Sequence, residues 1–179
     1  MVTVYRRDSG ITRRELMRRA GTLGVGGLLV VSGGTVICPP QAWGLEPKAL
    51  KAETVATLIQ MARDIYPHDR IADRFYAVAV KNHDVKAAED ADYRAMLEEG
   101  VADLDSRAGG EGYRFVGWEE DRTAILKDIE DSAFFQSLRA DLVTGLYNQK
   151  DVWPVFGYEG ESYSKGGYID RGFDDIDWL

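Results

Sequence analysis

The sequence predicts an all-α protein: a small irregular helical bundle followed by an extended, aromatic-rich C-terminal arm. Apolar residues at 47–147 recur at the three- and four-residue spacing of helices, and no segment there alternates as a strand. From residue 148 onward, glycine and aromatic residues become frequent. Glycine and proline exclude a long helix there, whereas disordered segments are poor in large aromatic side chains. We therefore predict a leader at 1–44, a helical domain at 45–147 and an arm at 148–179.

The leader has the layout of a twin-arginine export signal. Arg13 and Arg14 are followed by Leu16 in a basic segment, and a glycine-rich apolar stretch follows at 20–37. Small residues at the end of the leader favour cleavage after Gly44. We therefore expect the twin-arginine translocase to export the chain to the periplasm. The alternative is an uncleaved membrane anchor, although the apolar stretch is shorter than the roughly 20 residues that span a bilayer.

The expected helices follow from five apolar stripes, which run over residues 55–66, 71–80, 93–104, 125–129 and 134–147. Pro67 is expected to end the first helix, because proline cannot continue the hydrogen-bonding pattern of a helix. Asp69 is the expected N-cap of the second helix. The third helix should stop before Gly109, and a short aromatic connector at 113–118 should lead to the last two.

Charge and cysteine content restrict the function further. Without its leader the chain carries 16 Lys and Arg against 28 Asp and Glu, a net charge of −12. Nucleic acids and anionic lipid surfaces require a basic footprint, so we predict that neither is a partner. The single cysteine, Cys38, lies in the leader. The exported chain would therefore have no disulfide, cysteine nucleophile or thiolate metal site.

The remaining reactive side chains form no catalytic or metal-binding motif. His68 and His83 are the only histidines, and neither has the spacing of a metal ligand pair. We expect His68 to cap the turn at Pro67 and His83 to end an exposed helical turn. The serines lack a nucleophile elbow, and the C-terminal aspartates do not follow EF-hand order. We therefore predict no catalytic, cofactor-binding or metal-binding residue in this chain.

The arm contains seven aromatic rings, at Trp153, Phe156, Tyr158, Tyr163, Tyr168, Phe173 and Trp178. At about 150–250 Å² per ring, together they could bury on the order of 1,000 Å², which is comparable to one side of a protein–protein interface. Rings of this number need a surface against which to pack. We predict that six of them bind a partner protein: Trp153, Phe156, Tyr158, Tyr168, Phe173 and Trp178.

The leader, the helix end at 63–69 and the arm segments at 152–160 and 166–179 together resemble the gluconate 2-dehydrogenase small-subunit (subunit 3) family. The resemblance covers essentially the whole chain. It is most specific in Tyr-Pro-His-Asp at 66–69 and in the arm, and less diagnostic at 85–147.

The resemblance implies a small subunit that carries the export signal and no redox cofactor. In that family the partner is a large FAD-dependent subunit of the glucose–methanol–choline type, which oxidises a sugar, sugar acid or related alcohol. Electrons often pass to a cytochrome c, which implies haem c in a third subunit and leaves open membrane association through the complex. An alternative from another class is a self-sufficient periplasmic sugar-binding protein or enzyme, because aromatic arms also stack on sugars.

Overall fold

The computed structural model describes residues 46–109, 112–170 and 173, together with the backbone of two short strands. Five α-helices form the body, and they confirm the predicted all-α fold class. They are α1 (Ala52–Ile65), α2 (Asp73–Glu89), α3 (Ala91–Ala108), α4 (Glu119–Asp128) and α5 (Ala133–Tyr147). None of these described helices is long and apolar enough to cross a membrane.

The two strands lie within the residues assigned to the leader. Strand β1 (Val30–Ser32) pairs antiparallel with β2 (Thr35–Ile37). The predicted signal residues Arg13, Arg14 and Leu16 lie outside the described residues, and so does the predicted cleavage position.

Helix boundaries agree with the apolar stripes, with one correction at the start of α2. Helix α1 ends just before Tyr66 and Pro67, as expected. Helix α2 begins at Asp73 with Ala72 at its N-cap, so the prediction that Asp69 caps this helix is wrong. The carboxylate of Asp73 instead pairs with Arg63 of α1, their side-chain atoms being 2.6 Å apart. An acid in the first turn of a helix is favourable without being the cap.

Helix α2 is central to the bundle, since it packs against α5, α1 and α3. The buried residues of α2 therefore form a broad face rather than a narrow stripe, although as many of its residues are exposed as buried. A glycine permits the close packing of α3 and α5. A Cβ atom on Gly100 would lie 2.3 Å from the ring of Phe134, which is buried.

A buried ion pair fixes α4 to α1. The Arg122 Nε lies 2.9 Å from Asp64 Oδ2, and both side chains are almost completely excluded from solvent. The hydroxyl of Tyr113 also donates to Asp64, at 2.8 Å, and Gln60 donates to the same carboxylate. Arg122 further donates to the carbonyl of Val116. This network holds the connector between α3 and α4 against the body.

The segment that precedes α1 is fixed by an acid of α2. Asp84 accepts the backbone N–H groups of Lys48, Ala49 and Leu50 at 2.8–3.0 Å. Burial opposes ionisation of this carboxyl, but the three backbone donors outweigh it and lower the pKa of Asp84. These contacts of the body therefore include residues that lie close in sequence to the predicted cleavage position.

Candidate partner-binding surface

The helix end at 66–69 and the first turn of the arm meet beside the C-terminal end of α5. His68 Nε2 lies 2.6 Å from the Tyr147 hydroxyl. The His68 ring also meets the ring of Phe156 edge-on, at a centroid distance of 5.2 Å. Tyr147 contacts the rings of Phe156 and Tyr66, each at 5.7 Å. We call Tyr66, His68, Tyr147 and Phe156 the seam cluster, because they join the body to the arm.

The fold positions the body half of the seam cluster through backbone contacts. The Tyr76 hydroxyl of α2 donates to the Tyr66 carbonyl at 2.6 Å, which fixes the chain just after α1. The His68 carbonyl then accepts the N–H of Ile71, closing a turn that returns the chain to α2. These contacts direct the His68 ring toward Tyr147, the last residue of α5.

The root of the arm is attached to the same region. Val152 is fully buried, and the Trp153 indole N–H donates to the Tyr147 carbonyl at 2.8 Å. Gln149 Nε2 donates to the carbonyls of Phe75 and Gly145. The arm therefore leaves the bundle from a defined point between the start of α2 and the end of α5.

The first turn of the arm is a 3₁₀ helix, Trp153–Phe156, which ends at a left-handed glycine. Gly157 has a φ of 75°, a conformation that side chains with a Cβ rarely adopt. The chain reverses there, and the N–H of Tyr158 donates back to the Trp153 carbonyl. The rings of Trp153 and Tyr158 then pack edge to face at 5.2 Å. Glycine thus determines where these two rings meet.

The structure leaves most of the predicted partner-binding rings in solvent. Trp153 is half-buried, whereas Phe156 and Tyr158 are 48% and 50% exposed. Tyr168 and Phe173 are more exposed still, and Trp178 lies outside the described residues. Tyr163 and Ile169 are also exposed. Exposed apolar side chains concentrated in one segment of the chain are typical of an interaction site.

Electrostatics favour an uncharged seam cluster near neutral pH. Burial, followed by the nearby Arg63 guanidinium, lowers the pKa of His68, while Asp69 acts in the opposite direction. Burial also raises the pKa of Tyr147 and raises that of Tyr76 to about 12. The imidazole of His68 and the phenols of Tyr147 and Tyr76 are therefore neutral at pH 7. A neutral aromatic surface is suited to packing against another apolar surface.

The expected role of His68 was wrong in detail. Its side chain does not cap the turn at Pro67 but bonds to Tyr147, which lies 79 positions further along the chain. The periodicity of α5 predicted that Tyr147 ends a helix, but it gave no information about which turn that residue would meet.

His83 corrects a second expectation, because it is completely buried rather than exposed. Its Nδ1 lies 2.6 Å from the Tyr93 hydroxyl, which lies 3.0 Å from Ser137 Oγ. Its Nε2 lies 3.8 Å from Asp141, and that carboxylate pairs with Lys86. Burial lowers the pKa of His83 to about 4. The cause is the position of α2 against α1, α3 and α5, which places His83 on the broad buried face of that helix.

Metal-ligating side chains are dispersed in the part of the chain that the structure describes, where no three His, Cys, Asp or Glu residues group closely enough to hold an ion. The surface of the described residues includes a groove along α4 and another between α2 and α5. Comparisons with protein-family models, with curated proteins and with solved structures found no match.

Proposed function

We propose that this chain is the non-catalytic small subunit of a periplasmic FAD-dependent dehydrogenase that oxidises a sugar, sugar acid or related alcohol. In this proposal FAD belongs to the large subunit, and haem c belongs to a third, cytochrome subunit. The small subunit is needed for export, maturation and stability of the large flavoprotein subunit. The twin-arginine leader and the family resemblance motivate the proposal.

The observation that carries the proposal is the meeting of two segments that are distant in sequence. The resemblance is most specific in the helix end at 66–69 and in the arm, and the seam cluster joins them through His68 and Phe156. Two segments that carry the resemblance and also contact each other are expected to act together, either in the fold or at an interface. The exposed rings beside this unit favour the interface.

The energetics of the rings support protein binding. Interface energy concentrates in a few aromatic side chains that become fully desolvated, and truncation of one such side chain costs about 2 kcal/mol or more. Phe156 and Tyr158 are exposed but held in place, because His68 and Tyr147 contact Phe156 and Trp153 contacts Tyr158. Little conformational entropy is then lost when a partner covers them. These two rings are therefore the expected centre of the interface.

The first test is a double substitution, Phe156→Ala with Tyr158→Ala, in a tagged chain co-expressed with the flavoprotein. We expect the affinity of the tagged chain for the flavoprotein to fall at least about 30-fold, which corresponds to about 2 kcal/mol. The amount of flavin that co-purifies with the tag measures this loss. The matched control is Phe115→Ala with Trp118→Ala, two exposed rings of the connector before α4. The control should retain the flavin.

Two results would contradict the proposal. Equal retention of flavin by both double variants would exclude the arm as the binding surface. A purified chain that has no flavoprotein partner but binds or turns over a sugar would favour the self-sufficient sugar-binding protein or enzyme. Exposed Tyr163 and Tyr168 are the observation behind that alternative, because tyrosine rings also stack on sugars.

The export role has a separate test in the leader. Replacement of Arg13 and Arg14 by lysine should leave the flavoprotein in the cytoplasm, because the large subunit would have no signal of its own. Immunodetection of the large subunit in periplasmic and cytoplasmic fractions measures this. Normal flavoprotein export in this variant would overturn the escort role while leaving the interface test unaffected.

A further inference from the structure

One exposed face of α2 carries charges of both signs with valines between them. Its members follow one another at spacings of three, four and four residues, and all are exposed: Val78, Lys81, Val85 and Glu89. Such spacings place side chains on the same face of a helix. Lys81 therefore lies about one turn before Val85, and Glu89 lies about one turn after it. We call these four residues the α2 face.

Helix α4 carries its charges in the opposite order. Exposed Trp118 precedes the helix, and exposed Glu119 is its first residue. Half-buried Thr123 follows one turn later, and exposed Lys127 follows after a second turn. The groove along α4 is lined by Glu119, Thr123 and Lys127, and also by the exposed Ala124. We call Trp118, Glu119, Thr123, Ala124 and Lys127 the α4 face.

The charges of the two faces are available to a partner. In the part of the chain that the structure describes, ion pairs include none of the four charged side chains, which are Lys81, Glu89, Glu119 and Lys127. An unpaired surface charge is ordinary by itself. The α2 face, however, reads cation then acid along its helix, whereas the α4 face reads acid then cation.

The two faces match in register when the two helices lie parallel. On each face the second charge follows the first by eight residues, which is about 12 Å along a helix. Lys81 then lies opposite Glu119, and Glu89 lies opposite Lys127. An antiparallel arrangement would place Lys81 opposite Lys127 and Glu89 opposite Glu119, and juxtaposed like charges oppose binding. Charge therefore specifies the direction as well as the register.

The apolar side chains of the two faces meet in the same register. Val85 is 41% exposed and lies midway between the charges of its face, at the level of Thr123 and Ala124. The small side chain of Ala124 leaves space for a valine, as in the packing of ridges into grooves between helices. Val78 and Trp118 are 51% and 69% exposed, and each precedes the first charge of its face. The indole ring can therefore cover Val78.

We propose that the α2 face of one copy of this chain binds the α4 face of a second copy. One folded chain cannot join its own two faces, because both are exposed while α2 and α4 pack into the bundle through their other sides. The contact unites two different surfaces, so the copies associate head to tail. It includes neither the seam cluster nor the arm, and it is therefore independent of the proposed function.

Disulfide trapping between full-length chains with one cysteine each tests the contact. Every variant carries Cys38→Ser, which removes the only natural cysteine. A Val85→Cys chain is mixed with an Ala124→Cys chain, and in the control mixture a Val143→Cys chain replaces the Val85→Cys chain. Val143 of α5 is 51% exposed and lies outside both faces. We expect the mixed disulfide to form several-fold faster with Val85→Cys than with Val143→Cys, measured by non-reducing electrophoresis and intact mass.

An exchange of charges tests the register. Lys81→Glu in the Val85→Cys chain should slow trapping roughly two- to fivefold, the range for loss of an exposed ion pair. Glu119→Lys in the Ala124→Cys chain should slow it to a similar extent. When the two charge-reversed chains are mixed, opposite charges face each other again, and the trapping rate should recover. Such a recovery would not occur if each substitution merely disturbed its own chain.

Three results would overturn the proposal. Equal trapping rates for the Val85→Cys and Val143→Cys mixtures would exclude the α2 face as the contact. Disulfides between two Val85→Cys chains that form faster than the mixed disulfide would show that two α2 faces meet each other. Trapping that stays slow after the charge exchange would exclude the parallel register of Lys81 with Glu119.

Discussion

The bundle and the arm use aromatic rings in opposite ways. Tyr76 and Tyr113 of the bundle are fully buried, and their hydroxyls donate to the Tyr66 carbonyl and to Asp64. The described rings of the arm are instead half-buried or exposed, although glycine turns hold the first of them in place. The bundle thus buries these two rings and bonds their hydroxyls by itself, whereas the arm leaves large apolar area for another surface. Variants in the two regions should therefore affect different measurements.

The largest expected effect comes from the buried ion pair of the bundle. Arg122→Ala leaves the Asp64 carboxylate buried without its guanidinium, and loss of one member of a buried pair costs about 3–5 kcal/mol. Urea denaturation followed by circular dichroism measures the free energy of unfolding.

Arg107→Ala is the matched control, because its ion pair with Asp103 lies on the surface of α3. This variant should unfold at the same urea concentration as the wild type. Equal urea midpoints for the two variants would show that the buried ion pair stabilises the bundle no more than the surface ion pair does.

The second effect is a loss of bundle stability at acidic pH. The pKa of His83 in the fold is about 4, below its ordinary value of 6.5, so the folded protein favours the neutral ring. Stability is therefore full above pH 6.5 and falls as the pH decreases toward 4. A pKa difference of this size corresponds to roughly 3 kcal/mol once the pH lies below both values.

Nuclear magnetic resonance of the two imidazoles gives a direct test of this pH dependence. The His83 signals should stay unchanged down to about pH 5, whereas the half-buried His68 should titrate at higher pH than His83. Urea midpoints that stay constant between pH 6.5 and 4.5 would contradict the buried position of His83.

The third effect concerns close packing between α3 and α5. Alanine at a helical glycine normally stabilises by up to about 1 kcal/mol. At Gly100, however, the new Cβ would lie within 2.7 Å of three ring atoms of Phe134. Overpacking of this kind costs about 1–3 kcal/mol, so we expect Gly100→Ala to lower the free energy of unfolding by about 1–2 kcal/mol. Calorimetric melting measures this.

Gly117→Ala provides the comparison, because a Cβ there meets nothing within 4 Å. Its melting temperature should stay within the small range of surface substitutions. A Gly100→Ala variant that melts higher than the wild type would show that Phe134 can move away without cost.

The sequence predicted the elements of the bundle but not their partners. Apolar periodicity located five helices, and Pro67 and Gly109 correctly ended two of them. Periodicity specifies which face of a helix is apolar, but not how many neighbours the helix has, and for that reason His83 of the central helix was wrongly expected in water. The contacts of Asp64 with Arg122 and of His68 with Tyr147 join residues 58 and 79 positions apart. No local pattern encodes such pairs.

The sequence predicted which residue types would form the candidate surface, but not where on the bundle they would lie. The aromatic content of the arm predicted rings that need a surface, and Phe156, Tyr158, Tyr168 and Phe173 are exposed in the structure. That composition did not indicate that Phe156 would meet the helix end at 66–69. The junction depends on where α5 ends relative to α1, and this follows from packing of the whole bundle.

The smallest effect on stability is expected in the arm itself. Phe156→Ala removes a ring that is 48% exposed and contacts the rings of His68 and Tyr147, so the free energy of unfolding should fall by less than about 1 kcal/mol. Leu142→Ala in the core of α5 should lower it by about 2–5 kcal/mol. We expect Phe156→Ala nevertheless to abolish flavin co-purification. Leu142→Ala should reduce it only in proportion to the unfolded fraction of the chain, which would separate the role of the arm from that of the bundle. If Phe156→Ala destabilises the isolated chain as strongly as Leu142→Ala, the ring belongs to the core of its own chain, and the exposed surface beside it loses its significance as an interface.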